Sequence, residues 1–100
     1  MIETMQVSTH SKTEFIDITS QIQQIVNKQE IKQGICYVYV PHTTAGLTIN
    51  ENADPSVQKD ILMEMNKIVP FQDNYAHYEG NSAAHIKASL FGNSLFVFIE

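Results

Sequence analysis

A chain of 100 residues, 43% of them apolar and 17% charged, has the composition of a single globular domain with one modest core, and it lacks the charge excess and aromatic depletion that mark disorder. Its six basic residues are all lysines and face eleven acids, and the resulting formal net charge of -5 argues against broad binding to nucleic acid or to an anionic membrane. The N-terminus has no basic start followed by an apolar core, and no apolar run approaches membrane-spanning length, so the expected location is cytoplasmic.

In chain order, residues 2–8 predict a first strand and residues 15–18 a short apolar segment. A helix follows, with Ile18, Ile22, Ile25 and Val26 on one face, Asp17 or Thr19 as its cap, and an end near Lys28. Residues 35–40, Ile-Cys-Tyr-Val-Tyr-Val, are apolar or aromatic on both faces and read as a central strand. The single cysteine, Cys36, sits inside that run as a small structural residue and excludes an internal disulfide.

Residues 47–50 predict another short strand that turns Leu47 and Ile49 to the core. Asp54-Pro55 then pairs an N-cap with proline at the first helical position, which explains Asp54 without catalysis. The helix so begun carries Val57, Ile61, Met65 and Ile68 on one stripe and ends before Pro70. Residues 71–80 have no period and read as a loop. Ser82 is placed to cap a short helix over residues 83–90, with Ile86 and Leu90 inward, His85 and Ser89 on a neighbouring face, and Gly92 at its end. Residues 95–99, Leu-Phe-Val-Phe-Ile, form a last strand that is apolar on both faces. Such a strand requires a partner or a cover, and the chain is therefore expected to continue beyond Glu100.

Polar chemistry is concentrated in Pro41-His-Thr-Thr-Ala-Gly-Leu-Thr-Ile-Asn-Glu-Asn-Ala-Asp-Pro55, where a histidine, hydroxyls, amides and two acids follow a strongly apolar strand. Glu51 suits a general base, or a carboxylate that orients a metal-bound histidine or water, while Asn50 suits either substrate positioning or a turn. His42, His77 and His85 are too widely spaced to form a compact ligand motif, and spacing by itself leaves each of them free to serve locally. His10 lies in a polar stretch and is assigned to solvent. Ser82 and Ser89 flank His85, but without a Gly-x-Ser-x-Gly elbow they do not support a serine hydrolase, and the glycines form no phosphate-binding loop. Lys87 reads either as a phosphate contact or as a solvated lysine.

Three segments taken together, residues 42–55, Asn74-Tyr-Ala-His-Tyr-Glu-Gly80 and Ala84-His-Ile-Lys-Ala-Ser-Leu-Phe-Gly-Asn-Ser94, resemble the YjbQ-like family along the whole chain. The resemblance implies an α+β fold, a compact single domain over residues 1–100 with strands packed against two main helices and one short helix, and assembly as a homotrimer. It further implies a secondary thiamine-phosphate synthase activity on a phosphorylated small molecule. The site would have His42, His77 and His85 as ligands of a divalent transition metal, zinc first among them, His42 and Glu51 as catalytic groups, and Asn50, Thr43 and Lys87 as substrate contacts. Family members continue past the last strand with a turn and a Gly-Thr-Trp-Gln segment, which this sequence lacks. The alternative reading is a non-catalytic trimer whose histidine pocket holds a metal or small ligand.

Overall fold

The structure, a computed structural model, describes residues 1–100. It contains helix α1 (Thr19–Lys28), strand β1 (Gly34–Tyr39), helix α2 (Pro55–Ile68), helix α3 (Ser82–Phe91) and strand β2 (Ser94–Ile99), an α+β set in which β1 and β2 form a two-stranded sheet. No helix is long and apolar enough to cross a membrane. Two compact units are distinguished, one made of Met1–Tyr37 with Phe96–Glu100, the other of Val38–Leu95.

In the first unit, Ile18, Ile22, Ile25 and Val26 are half-buried along one side of α1, as their spacing requires. The Asp17 carboxylate accepts the Thr19 amide at 2.9 Å, so Asp17 is the capping side chain. The helix ends with Glu30 in the left-handed region at φ 57, its amide donating to the Asn27 carbonyl at 3.2 Å. A side chain is costly in that conformation, where glycine or asparagine usually stands. Glu30→Gly is expected to stabilise the chain by about 1 kcal/mol, read as a higher thermal midpoint at unchanged helical signal.

Residues 2–8, expected as a strand, form none. No neighbouring strand offers them a ladder, Ile2 and Val7 are exposed, and only Met5 among them is half-buried. The predicted central strand β1 likewise has one neighbour rather than two.

The Val40 amide donates to the Asn93 carbonyl at 2.9 Å, and Tyr37 faces Phe96 with ring centroids 6.0 Å apart, which sets β1 and β2 antiparallel. Cys36, Val38, Leu95, Val97 and Ile99 are half-buried, and the alternate residues Ile35, Tyr37, Tyr39, Phe96 and Phe98 are exposed. The period of two is therefore realised, with an apolar set on the open face as well.

In the second unit, the Asp54 carboxylate caps α2 by accepting the Ser56 amide at 2.9 Å and the Ser56 hydroxyl at 2.8 Å. These two hydrogen bonds, the amide first, hold the Asp54 carboxyl below its ordinary range. Because the folded state favours the charged form, this contribution is present above the ordinary carboxylate range and is lost as pH falls through the lowered value. Asp54→Ala should lower the thermal midpoint by about 4–8 °C at neutral pH, and the gap to the parent should close in strong acid.

Val57, Ile61 and Met65 are half-buried along α2, but Ile68 is 65% exposed and the adjacent Val69 is buried in its place. The Val69 amide still reaches the Met65 carbonyl at 2.8 Å, and Pro70 stops the helix there. On α3 the inward row is Ala83 and Lys87, whereas Ile86 and Leu90, expected inside, are 39% and 62% exposed. Ala83 permits close packing, and the Lys87 amine is accepted by Asn66 Oδ1 on α2, so a lysine read as solvated lies buried. Ser82 is the first helical residue rather than the cap, since Asn81 holds that position.

Residues 47–50 also form no strand. Their link to the rest of the unit is the Leu47 amide, which donates to the Gly92 carbonyl at 2.9 Å. Gly46 lies so close to the end of α3 that an added Cβ would stand 2.9 Å from the Phe91 Cβ and 3.2 Å from the Gly92 carbonyl oxygen.

Candidate functional site

The second unit carries the site. Tyr75, Ala76 and His77 reach it from the loop before α3, and Ser82, His85 and Ile86 from the first two turns of that helix; together they line an open depression of 370 Å³. The Tyr75 hydroxyl donates to the Pro70 carbonyl at 2.5 Å, which ties the loop to the end of α2. The loop then turns through Gly80, whose φ of 72 is one a glycine adopts without cost, and enters α3. Backbone geometry thus brings His77, before the turn, against His85, after it. Their rings are 5.5 Å apart between centroids and nearly perpendicular, at 88°.

His77 is exposed and His85 half-buried, so one imidazole is open to solvent and the other is held by the helix. Imidazole ring nitrogens can bind a cation, hydrogen-bond a polar ligand or transfer a proton. Asn81 Oδ1, at the start of α3, is buried and accepts no hydrogen bond from the protein. The Ser89 hydroxyl donates to the His85 carbonyl at 2.9 Å, a back-bond along the helix.

The other expected site residues are placed differently. His42, Thr43, Asn50 and Glu51 are all exposed on residues 41–54, with Thr43 in a turn. Asn50 Oδ1 accepts the Glu51 amide at 2.7 Å, the turn-forming alternative for that side chain. No three His, Cys, Asp or Glu side chains stand close enough to hold one metal ion, so the chain by itself presents a histidine pair, with His42 outside it. Lys87 is buried against Asn66 and does not line the depression; burial lowers its amine below the ordinary lysine range.

Tyr75, Ala76, Ser82 and Ile86 complete the lining and were not singled out as site residues by the sequence. The available signal was their proximity to the two histidines along the chain; it was obscured because Ile86 reads as core and Ser82 as a cap.

The sequence profile described as UPF0047 protein YjbQ-like matches residues 3–100. The chain is 47% identical to UPF0047 protein MJ1081 of Methanocaldococcus jannaschii over 100 residues, which span all of this chain and 72% of that protein. It is 44% identical to UPF0047 protein YugU of Bacillus subtilis, across all of this chain and 76% of YugU. Among solved structures, a YjbQ/UPF0047 protein from Clostridium acetobutylicum superposes with a TM-score of 0.91 at 49% identity, covering 94% of this chain and 73% of its own. A protein of unknown function from Sulfolobus solfataricus superposes at 0.87 with 33% identity, covering 94% and 69%.

Proposed function

The chain belongs to the YjbQ-like UPF0047 family, and on that premise we propose that it is a metal-dependent, self-assembling enzyme with thiamine-phosphate synthase activity centred on the His77–His85 pair. The observation that carries this reading is the perpendicular approach of two imidazoles, 5.5 Å between centroids, over an open depression. The donor set suits a transition metal such as zinc, which takes neutral imidazole nitrogens. His77 and His85 would hold it. With two protein ligands in place, the remaining positions fall to His42, to a second copy in the proposed homotrimer, or to substrate and water.

A bound metal of this kind supplies positive charge against phosphate oxygens. That charge matters here because the chain is acidic and has no arginine. The reaction joins a pyrimidine-methyl diphosphate to a thiazole phosphate: the thiazole nitrogen forms the new bond to the methylene carbon, and the bond from that carbon to the diphosphate oxygen breaks as pyrophosphate leaves. Tyr75 and Ile86 provide apolar surface for a heteroaromatic ring. In this reading no proton leaves the thiazole nitrogen: Glu51 would orient a metal-bound histidine or water, His42, where it is not a ligand, would give a proton to the departing diphosphate oxygen, and Thr43 and Asn50 would be polar contacts to the substrate. Lys87 is dropped as a substrate contact because it lies buried against Asn66.

The second reading, a non-catalytic trimer that binds a metal or small ligand, is favoured by the histidine pair lacking a third ligand within the chain. One experiment separates the two. Elemental analysis of protein purified without added metal is compared for the parent and for His77→Ala/His85→Ala, and each is assayed with both phosphorylated substrates. Near-stoichiometric metal and product in the parent, both lost in the double variant, is the expected result. Metal-dependent thermal stabilisation without product selects the binding protein, and a parent that takes up no metal under controlled addition overturns the metal site. Glu51→Gln is expected to slow turnover by about 10²–10⁴-fold with metal content unchanged; normal turnover in that variant removes Glu51 from catalysis.

A further inference from the structure

We propose that Asn81 is a positioning residue for the histidine pair, its side-chain oxygen accepting the ring N–H of His85 when the other nitrogen of that imidazole binds metal. The inference rests on the metal reading above and adds to it a residue outside the lining of the depression. Asn81 stands immediately before α3, where an asparagine ordinarily accepts a backbone amide of the first turn. Its side chain makes no such bond here, and its backbone, at φ -116 and ψ 24, departs from the extended form of a capping residue. Oδ1 is nevertheless buried and has no donor within the protein. A buried amide oxygen without a donor is costly in a folded chain. A residue suited to cap that forgoes the cap and still buries its oxygen therefore points to a different donor.

Position identifies that donor. The His85 amide donates to the Asn81 carbonyl at 3.3 Å, the bond of one helical turn, so the two residues stand one above the other on the same face. Side chains on a helix lean toward its N-terminus, which carries the half-buried His85 imidazole back over the turn that begins at Asn81. An imidazole that binds metal through one nitrogen carries a proton on the other, and that N–H takes an acceptor that fixes the ring. One turn further along the helix, the Ser89 hydroxyl is already engaged with the His85 carbonyl. The Ser82 hydroxyl, three residues before His85, lines the open depression, whereas Asn81 Oδ1 is an acceptor withdrawn from water.

The test compares the parent with Asn81→Ser, Asn81→Asp and His85→Ala. Zinc affinity is measured by competition with a chromogenic chelator, and the His85 ring N–H of the zinc-loaded chain is followed by heteronuclear NMR. Serine and aspartate cap helices about as well as asparagine, so both variants should keep the parent's helical circular dichroism. Aspartate retains an acceptor at the same reach, while the serine oxygen stops one bond short. Asn81→Ser is expected to bind zinc about 10–100-fold more weakly than the parent and to lose the ring N–H signal to exchange with water. Asn81→Asp should bind at least as tightly as the parent and keep that signal. If Asn81→Ser loses its helical signal, Asn81→Gly, which costs little at a cap, replaces it with the same expectation. A folded Asn81→Ser with the parent's affinity, or an Asn81→Asp as weak as the serine variant, overturns the role of Asn81 and leaves the metal site standing. A parent that takes up no zinc, or a His85→Ala that keeps the parent's affinity, overturns metal binding at His85 and this role together.

Discussion

Lys87→Ala is expected to destabilise the chain by about 2–4 kcal/mol, the largest effect of any single substitution considered for it. Lys87 is only 7% exposed, its amine is held by Asn66 Oδ1, and its stem packs in the row it shares with Ala83. Truncation removes a hydrogen bond from a charged donor, about 1.5–3 kcal/mol by itself, and opens space where the methylenes lay. Lys87→Met, which keeps most of the volume, should cost less than Lys87→Ala. The pH dependence supplies an independent check. Burial holds the folded amine below its ordinary range, so in the window between the lowered and ordinary values the unfolded chain binds more protons than the folded one. Stability of the parent therefore rises as pH climbs through that window, after a plateau below it. In Lys87→Met the rise from this group is absent, and urea titrations on either side of the window measure the difference.

Gly46→Ala should cost about 1–3 kcal/mol, a substantial share of the 5–15 kcal/mol typical of a folded domain. The new methyl would meet the Phe91 Cβ at 2.9 Å and the Gly92 carbonyl oxygen at 3.2 Å, atoms fixed by backbone rather than by a flexible chain end. Relief requires residues 41–54 to move away from the end of α3, which strains the bonds from Val40 to Asn93 and from Leu47 to Gly92. The same movement displaces His42 and Glu51. The expected signature is a lower midpoint in chemical denaturation together with weaker turnover or ligand-induced stabilisation under conditions where the variant remains folded. A midpoint equal to the parent's would show that the loop gives way without cost. Glycine is required here for space, since no left-handed backbone is involved.

The elements that were legible in the sequence are those whose code is local. Asp54-Pro55 announces the start of α2 through a cap and a preset φ, Pro70 marks its end, and the period of α1 identifies Ile18, Ile22, Ile25 and Val26 as its packing side. β1 and β2 were visible as runs of branched and aromatic residues. The same local rules misplaced residues 2–8 and 47–50, because a strand exists only when a neighbour completes its hydrogen bonds, and no sequence pattern supplies that neighbour. They also turned α3 toward Ile86 and Leu90, whereas the amine of Lys87 found an acceptor on α2 and went inside with Ala83.

The site divides in the same way. The sequence by itself determined the chemical inventory, with histidines at 42, 77 and 85, the polar segment after β1 and the acid at 51, together with the helix starts and stops that bracket them. Only the tertiary structure decided which of these groups meet. The turn through Gly80 folds His77 back on His85, while His42 stays outside the pair and Lys87 is withdrawn from solvent. Helix caps and periodicities arise from residues within a few positions of one another, whereas a pair of rings 5.5 Å apart depends on a turn and a helix placing both at one spot, which spacing along the chain does not encode.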